Sequence, residues 1–252
     1  MQNLRSPAVL DAYLRAHGAG ASPELDRLCG QFHAHTALLY WFTDLRAAQA
    51  EARRTRRPIL SLRLLGRLDE ELSCANSRFF RRLLYPDARI NRLLRERFVL
   101  HWQSLRPVPI VTIDFGDGRR VRRTLTGNSL HVVLDAEGHV IDALPGLVAA
   151  DVFYRLLTGE RVEPPNASPT RAVAASRIAM TKHMVEAPLL RAVQADVDGD
   201  TRTNLELHAR IRDALARYTW TADQLVAWIY RELFLMPLDD ASLGLDEPEP
   251  FQ

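Results

Sequence analysis

The sequence predicts an α/β fold in which a mixed β-sheet is flanked by helices and followed by an all-helical C-terminal extension. Three observations carry this expectation. Two short apolar runs, ILSLRLL and FVLHWQSL, are separated by a stretch of helical pattern. Two later stretches, VTIDFGDGRRVRRTL and LHVVLDAEGHVIDALPG, alternate apolar and polar residues around Gly-containing turns and read as β-hairpins. Beyond the Pro-rich GERVEPPNASP every segment has helical spacing.

Taken in order, residues 23–57 read as a helix, with Leu25, Leu28, Phe32, Leu38, Leu39, Phe42 and Leu45 at three- and four-residue steps. Pro58 ends it and opens the first strand. SRFFRRLLYPDARINRLLRER supplies two helices parted at Tyr85-Pro86, with Asp87 capping the second. The second strand and the two hairpins follow, and residues 147–157 form a closing helix, so that all strands are expected in one mixed sheet. Helices are expected over 171–185, 188–196, 203–218 and 221–235, the last capped by Thr221 with Gln224 three residues on.

At 252 residues, 47% hydrophobic and 25% charged, the composition is that of a globular protein. No stretch approaches the length of a membrane helix and no signal peptide pattern opens the chain, so a cytoplasmic location and no membrane partner are expected. Two cysteines, Cys29 and Cys74, are too few for a disulfide scaffold.

The net charge of +2 hides an asymmetry: residues 46–123 contain 19 arginines against 8 acidic residues, an excess of 11, whereas residues 239–252 hold five acidic residues and no base. Clustered guanidinium groups suit phosphates. The preferred reading is a bias toward arginine on solvated faces, since Lys182 is the only lysine and no aromatic residues interleave with the arginines as a stacking platform. Nucleic acid is therefore the less favoured partner.

The segment that best suits chemistry is Cys74-Ala75-Asn76-Ser77, between a strand and a helix, where a helix N-terminus eases ionisation of a thiol and Arg78 adds positive charge. The plainer reading is a buried cysteine. Two other patterns carry less. Cys29-x3-His33-x-His35 has no second ligand pair for a metal, and Asp196-Val-Asp198-Gly-Asp200 lacks the glutamate and glycine positions of a calcium loop and reads as an interhelical turn.

Over residues 40–157 the chain resembles the thioredoxin-like superfamily. The resemblance rests on WFTDLRAAQAEA, on RRPILSLRL, on the Cys-containing turn into a helix, on FVLHW after RLLRER, and on the late hairpin VVLDAEGHVI before a Gly and a final helix. It implies a thioredoxin-like mixed sheet within residues 40–160, an N-terminal helical segment in 1–39 and a helical C-terminal region in 161–252. Two positions depart from the family pattern: Ser77 stands where the second cysteine of a dithiol motif would be, and Ser129 where a cis-proline would precede the late hairpin.

The resemblance then implies monothiol chemistry, a candidate thiol-disulfide oxidoreductase with Cys74 as nucleophile and Ser77 hydrogen-bonded to the thiolate. Ala75, Asn76, Arg78, Asn128, Ser129 and His131 would line the site, with His131 either titrating near neutral pH or facing solvent on its strand. Cys29 is the candidate resolving thiol, no bound cofactor is implied, and glutathione is the candidate co-substrate. The alternative is a catalytically inactive module that binds a partner protein, a fold by itself carrying no chemistry.

Overall fold

The structure, a computed structural model, describes residues 6–124, 129–162 and 190–244, with backbone only for 190–199. The helix expected over 171–185 and the last residues of the acidic tail lie outside the described residues.

Two short helices open the chain, α1 (Pro7–His17) and α2 (Pro23–Cys29). Each starts with the same device, a serine (Ser6, Ser22) accepting a backbone N–H and a proline at the first helical position, where no amide is needed. The helix expected over 23–57 is broken in two. Gly30 ends α2 in the left-handed region (φ 66°) and the Asp26 carboxylate accepts the amides of His33 and Ala34, which turns the chain into a short 3-10 segment. Phe42 then bridges to His101, and Asp44 caps α3 (Leu45–Thr55). Apolar spacing alone does not register such interruptions, because the turn residues are themselves partly buried.

The main sheet has four strands, β1 (Ile59–Leu65), β2 (Val99–Arg106), β5 (Leu130–Leu134) and β6 (Val140–Pro145), in the order β2-β1-β5-β6. β1 runs parallel to β2 and antiparallel to β5, and β6 returns antiparallel to β5. The parallel pair requires a crossover, supplied by α4 (Ala75–Phe79), which widens into a π turn over Phe80–Leu84, and by α5 (Ala88–Arg97), whose start is capped by Asp87 as expected. The first hairpin, β3 (Ile110–Asp114) and β4 (Arg120–Thr124), does not join the main sheet but forms a two-stranded ribbon of its own. Every residue of β1 is buried, as befits a central strand, whereas the ribbon is largely exposed on both faces.

After β6 come α6 (Ala150–Leu157), α7 (Leu190–Arg217) and α8 (Ala222–Trp228), the last opening on a reciprocal Thr221/Gln224 capping box and widening into a π turn over Ile229–Leu233. The segment Asp196–Asp200, expected as a turn, lies within α7, so the helices expected over 188–196 and 203–218 are parts of one. The C-terminal helices share the main core: Leu205, Ile211, Leu225, Val226, Ile229 and Tyr230 are buried in the same cluster as the sheet residues. α7 docks on β6 through polar contacts. The Asn204 amide donates to the Leu147 carbonyl at 2.7 Å, Thr201 Oγ1 accepts from the Ala149 amide at 2.7 Å, and His208 Nε2 is 3.0 Å from the Asp142 carboxylate. Among the described residues no helix is long and apolar enough to cross a membrane.

Candidate functional site

Cys74 follows the loop out of β1 and is the N-cap of α4, in extended backbone (φ −55°, ψ 156°). Its amide donates to the carbonyl of Leu65, which holds the start of α4 against the end of β1. The position agrees with expectation, but the environment differs from an accessible helix terminus. Cys74 is 0% exposed, and burial pushes its thiol up. The hydroxyl and amide of Ser77, and then the charges of Arg81 and Arg78, act in the opposite direction without overcoming burial.

Cys74 belongs to the main hydrophobic core, and Ser77, Arg81 and Arg78 are the polar side chains that act on its thiol. Ser77 is buried, and its hydroxyl is 2.8 Å from the Cys74 carbonyl and 2.7 Å from Ser73 Oγ. Ala75 and Asn76 are half-buried on the first turn, and so is Arg78. Arg81, on the π turn after α4, is 3% exposed and donates to the carbonyls of Leu68 (2.9 Å) and Glu70 (2.8 Å) and to Ser73 Oγ (3.0 Å). Burial lowers its pKa to about 10. Its guanidinium therefore ties down the loop between β1 and α4 while leaving a positive charge beside the thiol.

Two buried tyrosines share the core with Cys74. Tyr85 ends the first π turn, where its amide reaches the Phe80 carbonyl at 2.8 Å, and Tyr230 lies on the second. Both are 0% exposed, and burial, followed by the negative charge a Cys74 thiolate would carry, holds both phenols well above their ordinary range. Tyr230 belongs to the C-terminal region and is buried in the same core cluster as Cys74.

His131 does not face solvent. It is 1% exposed, packed among Phe80 (4.8 Å between ring centroids), Phe153 (5.0 Å) and Tyr85, with Nε2 2.8 Å from the Tyr85 hydroxyl and Nδ1 without a partner. Burial lowers its pKa to about 3, so it is a neutral ring rather than a group that titrates near pH 7. Ser129 is buried with an unpartnered hydroxyl, and its carbonyl accepts from the Gly146 amide. Asn128 lies outside the described residues. Cys29 is buried in a separate small cluster with Leu10, Leu25, Leu28 and Ala34, and no disulfide joins it to Cys74.

A second buried polar group occupies the other face of the sheet. Ser61 and Arg63 on β1 stand beside His101 and Gln103 on β2 in the parallel register. Arg63 donates to Ser61 Oγ at 3.0 Å, to Gln103 Oε1, and to the exposed carboxylate of Asp223 at 3.3 Å. The Ser61 hydroxyl also lies 2.8 Å from His101 Nδ1. Burial, and next the charge of Arg63, lower the His101 pKa to about 3. This group anchors the start of α8 to the sheet.

Sequence reasoning missed Arg81, Tyr85 and Tyr230. Tyr85 had signalled only a helix break before Pro86, Arg81 was one of many arginines, and Tyr230 carries no mark in its segment beyond helical spacing. Among the described residues no group of three or more His, Cys, Asp or Glu is placed to hold a metal. Compared with known proteins, no family model, curated relative or solved structure matches the chain.

Proposed function

We propose that the chain is a thioredoxin-like interaction module that does not carry out thiol-disulfide exchange, with Cys74 serving as a core group. The strand order β2-β1-β5-β6, with β1 and β2 parallel and a late antiparallel hairpin, supports the thioredoxin-like part of this reading, as does a helix opening at the cysteine after β1. The observation that argues against thiol-disulfide exchange is the complete burial of Cys74 in the main core. A nucleophilic thiol must reach its disulfide and ionise, and burial opposes both. The alternative second thiol does not help, since Cys29 is itself fully buried in another cluster.

One observation favours a second reading, a monothiol oxidoreductase. Ser77, Arg81 and Arg78 all act to stabilise a thiolate at Cys74. That chemistry would require the core around Cys74 to open and expose the thiol.

Incubation of the native chain with glutathione disulfide, read by intact mass, separates the two. The interaction module forms no mixed disulfide at Cys74 until denaturant is added, whereas rapid adduct formation at Cys74 in the native chain would establish the oxidoreductase instead.

A further inference from the structure

The β3–β4 ribbon pairs with no other strand, and a two-stranded ribbon is by itself only marginally stable in water. Its two outer edges differ. The Phe115 amide donates to the Arg119 carbonyl, so Ile113 with Val121 and Val111 with Arg123 are the hydrogen-bonded pairs of the register. The amides and carbonyls of Ile110, Thr112 and Asp114 therefore point away from β4. All three residues are exposed, and among the described residues no hydrogen bond reaches those main-chain groups. β3 also lacks what usually protects such an edge: Ile-Val-Thr-Ile-Asp contains no lysine, arginine or proline, and its register has no bulge. On β4 the residues whose main chain faces outward are Arg120, Arg122 and Thr124, and the Thr124 hydroxyl is tied to the Ser73 carbonyl.

A second copy of the chain fits the β3 edge, because the strand is complementary to itself. Run antiparallel about a two-fold axis at Thr112, all of its residues pair: Thr112 meets Thr112, Val111 meets Ile113 and Ile110 meets Asp114. The outward amides and carbonyls then satisfy one another in the Thr112–Thr112 and Ile110–Asp114 pairs. On one face Val111, Ile113 and the 55% exposed Phe115 stand against Ile113, Val111 and Pro109 of the second copy, each row backed by its own Val121. No like charges are opposed, since the two Asp114 carboxylates lie at opposite ends of the pairing and each is held by its own Arg120 at 2.8 Å. The same construction on β4 sets Arg122 directly opposite Arg122, which is repulsive. Pairing β3 with β4 of the next copy leaves an edge free at each end and does not close.

We propose that β3 is a self-association edge, through which two copies of the chain join their ribbons into one four-stranded antiparallel sheet. The interface goes beyond the reading given above, uses no atom of the thiol and stands whether or not Cys74 is reactive. An edge this short buries less than a tight dimer needs, so association is expected in the micromolar range rather than the nanomolar.

The test is sedimentation equilibrium of the full chain from about 5 to about 500 µM, a range that covers weak dimers. The mass is expected to rise with concentration from one chain toward two and no further. Thr112→Pro removes an outward amide at the two-fold axis and no bond to β4, so it is expected to weaken association at least about tenfold with the melting temperature unchanged. Thr112→Cys places two thiols across the axis, where the Cα atoms of a hydrogen-bonded pair are about 5.5 Å apart, and is expected to give a disulfide-linked dimer on mild oxidation. Arg122→Cys, on the outer edge of β4, is expected to give none, and the buried Cys29 and Cys74 do not compete. A mass of one chain across the whole range would overturn the proposal. So would growth beyond two chains, or a dimer that Thr112→Pro leaves unchanged or that Thr112→Cys fails to link, because the contact would then lie elsewhere.

Discussion

The Tyr85 hydroxyl and Nε2 of His131 lie 2.8 Å apart inside the core, one from the π turn that follows α4 and the other from β5. The pair fixes the crossover helix against the sheet beside Cys74. It also buries an imidazole whose second nitrogen has no partner, so protonation of His131 gains nothing that offsets lost hydration.

That arrangement makes stability depend on pH in a defined direction. His131 and His101 both have folded pKa values of about 3, below the ordinary 6.5. Between those values the unfolded chain binds more protons, so stability is fully present above about pH 6.5 and is lost as pH falls toward 3. Each histidine contributes about 1.4 kcal/mol per pH unit to the slope within the window. In urea unfolding at pH 6, 5 and 4, His131→Gln is expected to lower the slope by about that amount relative to the parent chain. Equal slopes would contradict a neutral, buried His131.

Arg81 is expected to matter for stability more than the surrounding arginines. Arg81→Met removes the donor of the Glu70 carbonyl and one donor each from the Leu68 carbonyl and the Ser73 hydroxyl, which keep the Phe32 amide and the Ser77 hydroxyl, and should cost about 2 kcal/mol in urea unfolding. Exposed Arg82 supplies the control, its substitution by Met changing stability by less than about 0.5 kcal/mol. Equal effects would show that the guanidinium contacts of Arg81 contribute little.

Gly146 joins β6 to the α7 docking site. It adopts φ +61°, and a Cβ there would overlap the Asn204 amide, which bonds the Leu147 carbonyl. Gly146→Ala is therefore expected to destabilise by about 1–3 kcal/mol. Adding Asn204→Ala removes the overlap but not the backbone strain. A double-mutant cycle by chemical unfolding should accordingly show a coupling of at least about 0.5 kcal/mol, and strict additivity would count against the contact.

Much of the fold was legible in local pattern. Asp87 and Thr221 stand at helix starts as cap chemistry requires, ILSLRLL is the buried central strand, and the turn at Gly138 falls where β-alternation reverses. What escaped depends on partners distant in sequence. Leu38 to Leu45 continues a helical spacing, yet the Asp26 carboxylate accepts from the amides of His33 and Ala34 further along and ends the helical course. The β3–β4 alternation reads as sheet, but neither strand is buried enough to compete for an edge of the main sheet.

At the site, sequence placed Cys74 at the start of a helix but gave no access to its burial. The thiol environment is set by burial in a core that elements distant in sequence complete, and by Arg81, whose role shows only once the loop carbonyls converge on it.

The most direct measurement is the rate of alkylation at each cysteine of the native chain across pH 6 to 10, located by peptide mass mapping and compared with the unfolded chain. The account predicts that Cys74 reacts only as fast as the protein opens, with an apparent pKa above the ordinary thiol value of about 8.5, and quickly once unfolded. Rapid modification of Cys74 in the folded protein, with an apparent pKa below that value, would contradict it and return Cys74 to the role of nucleophile.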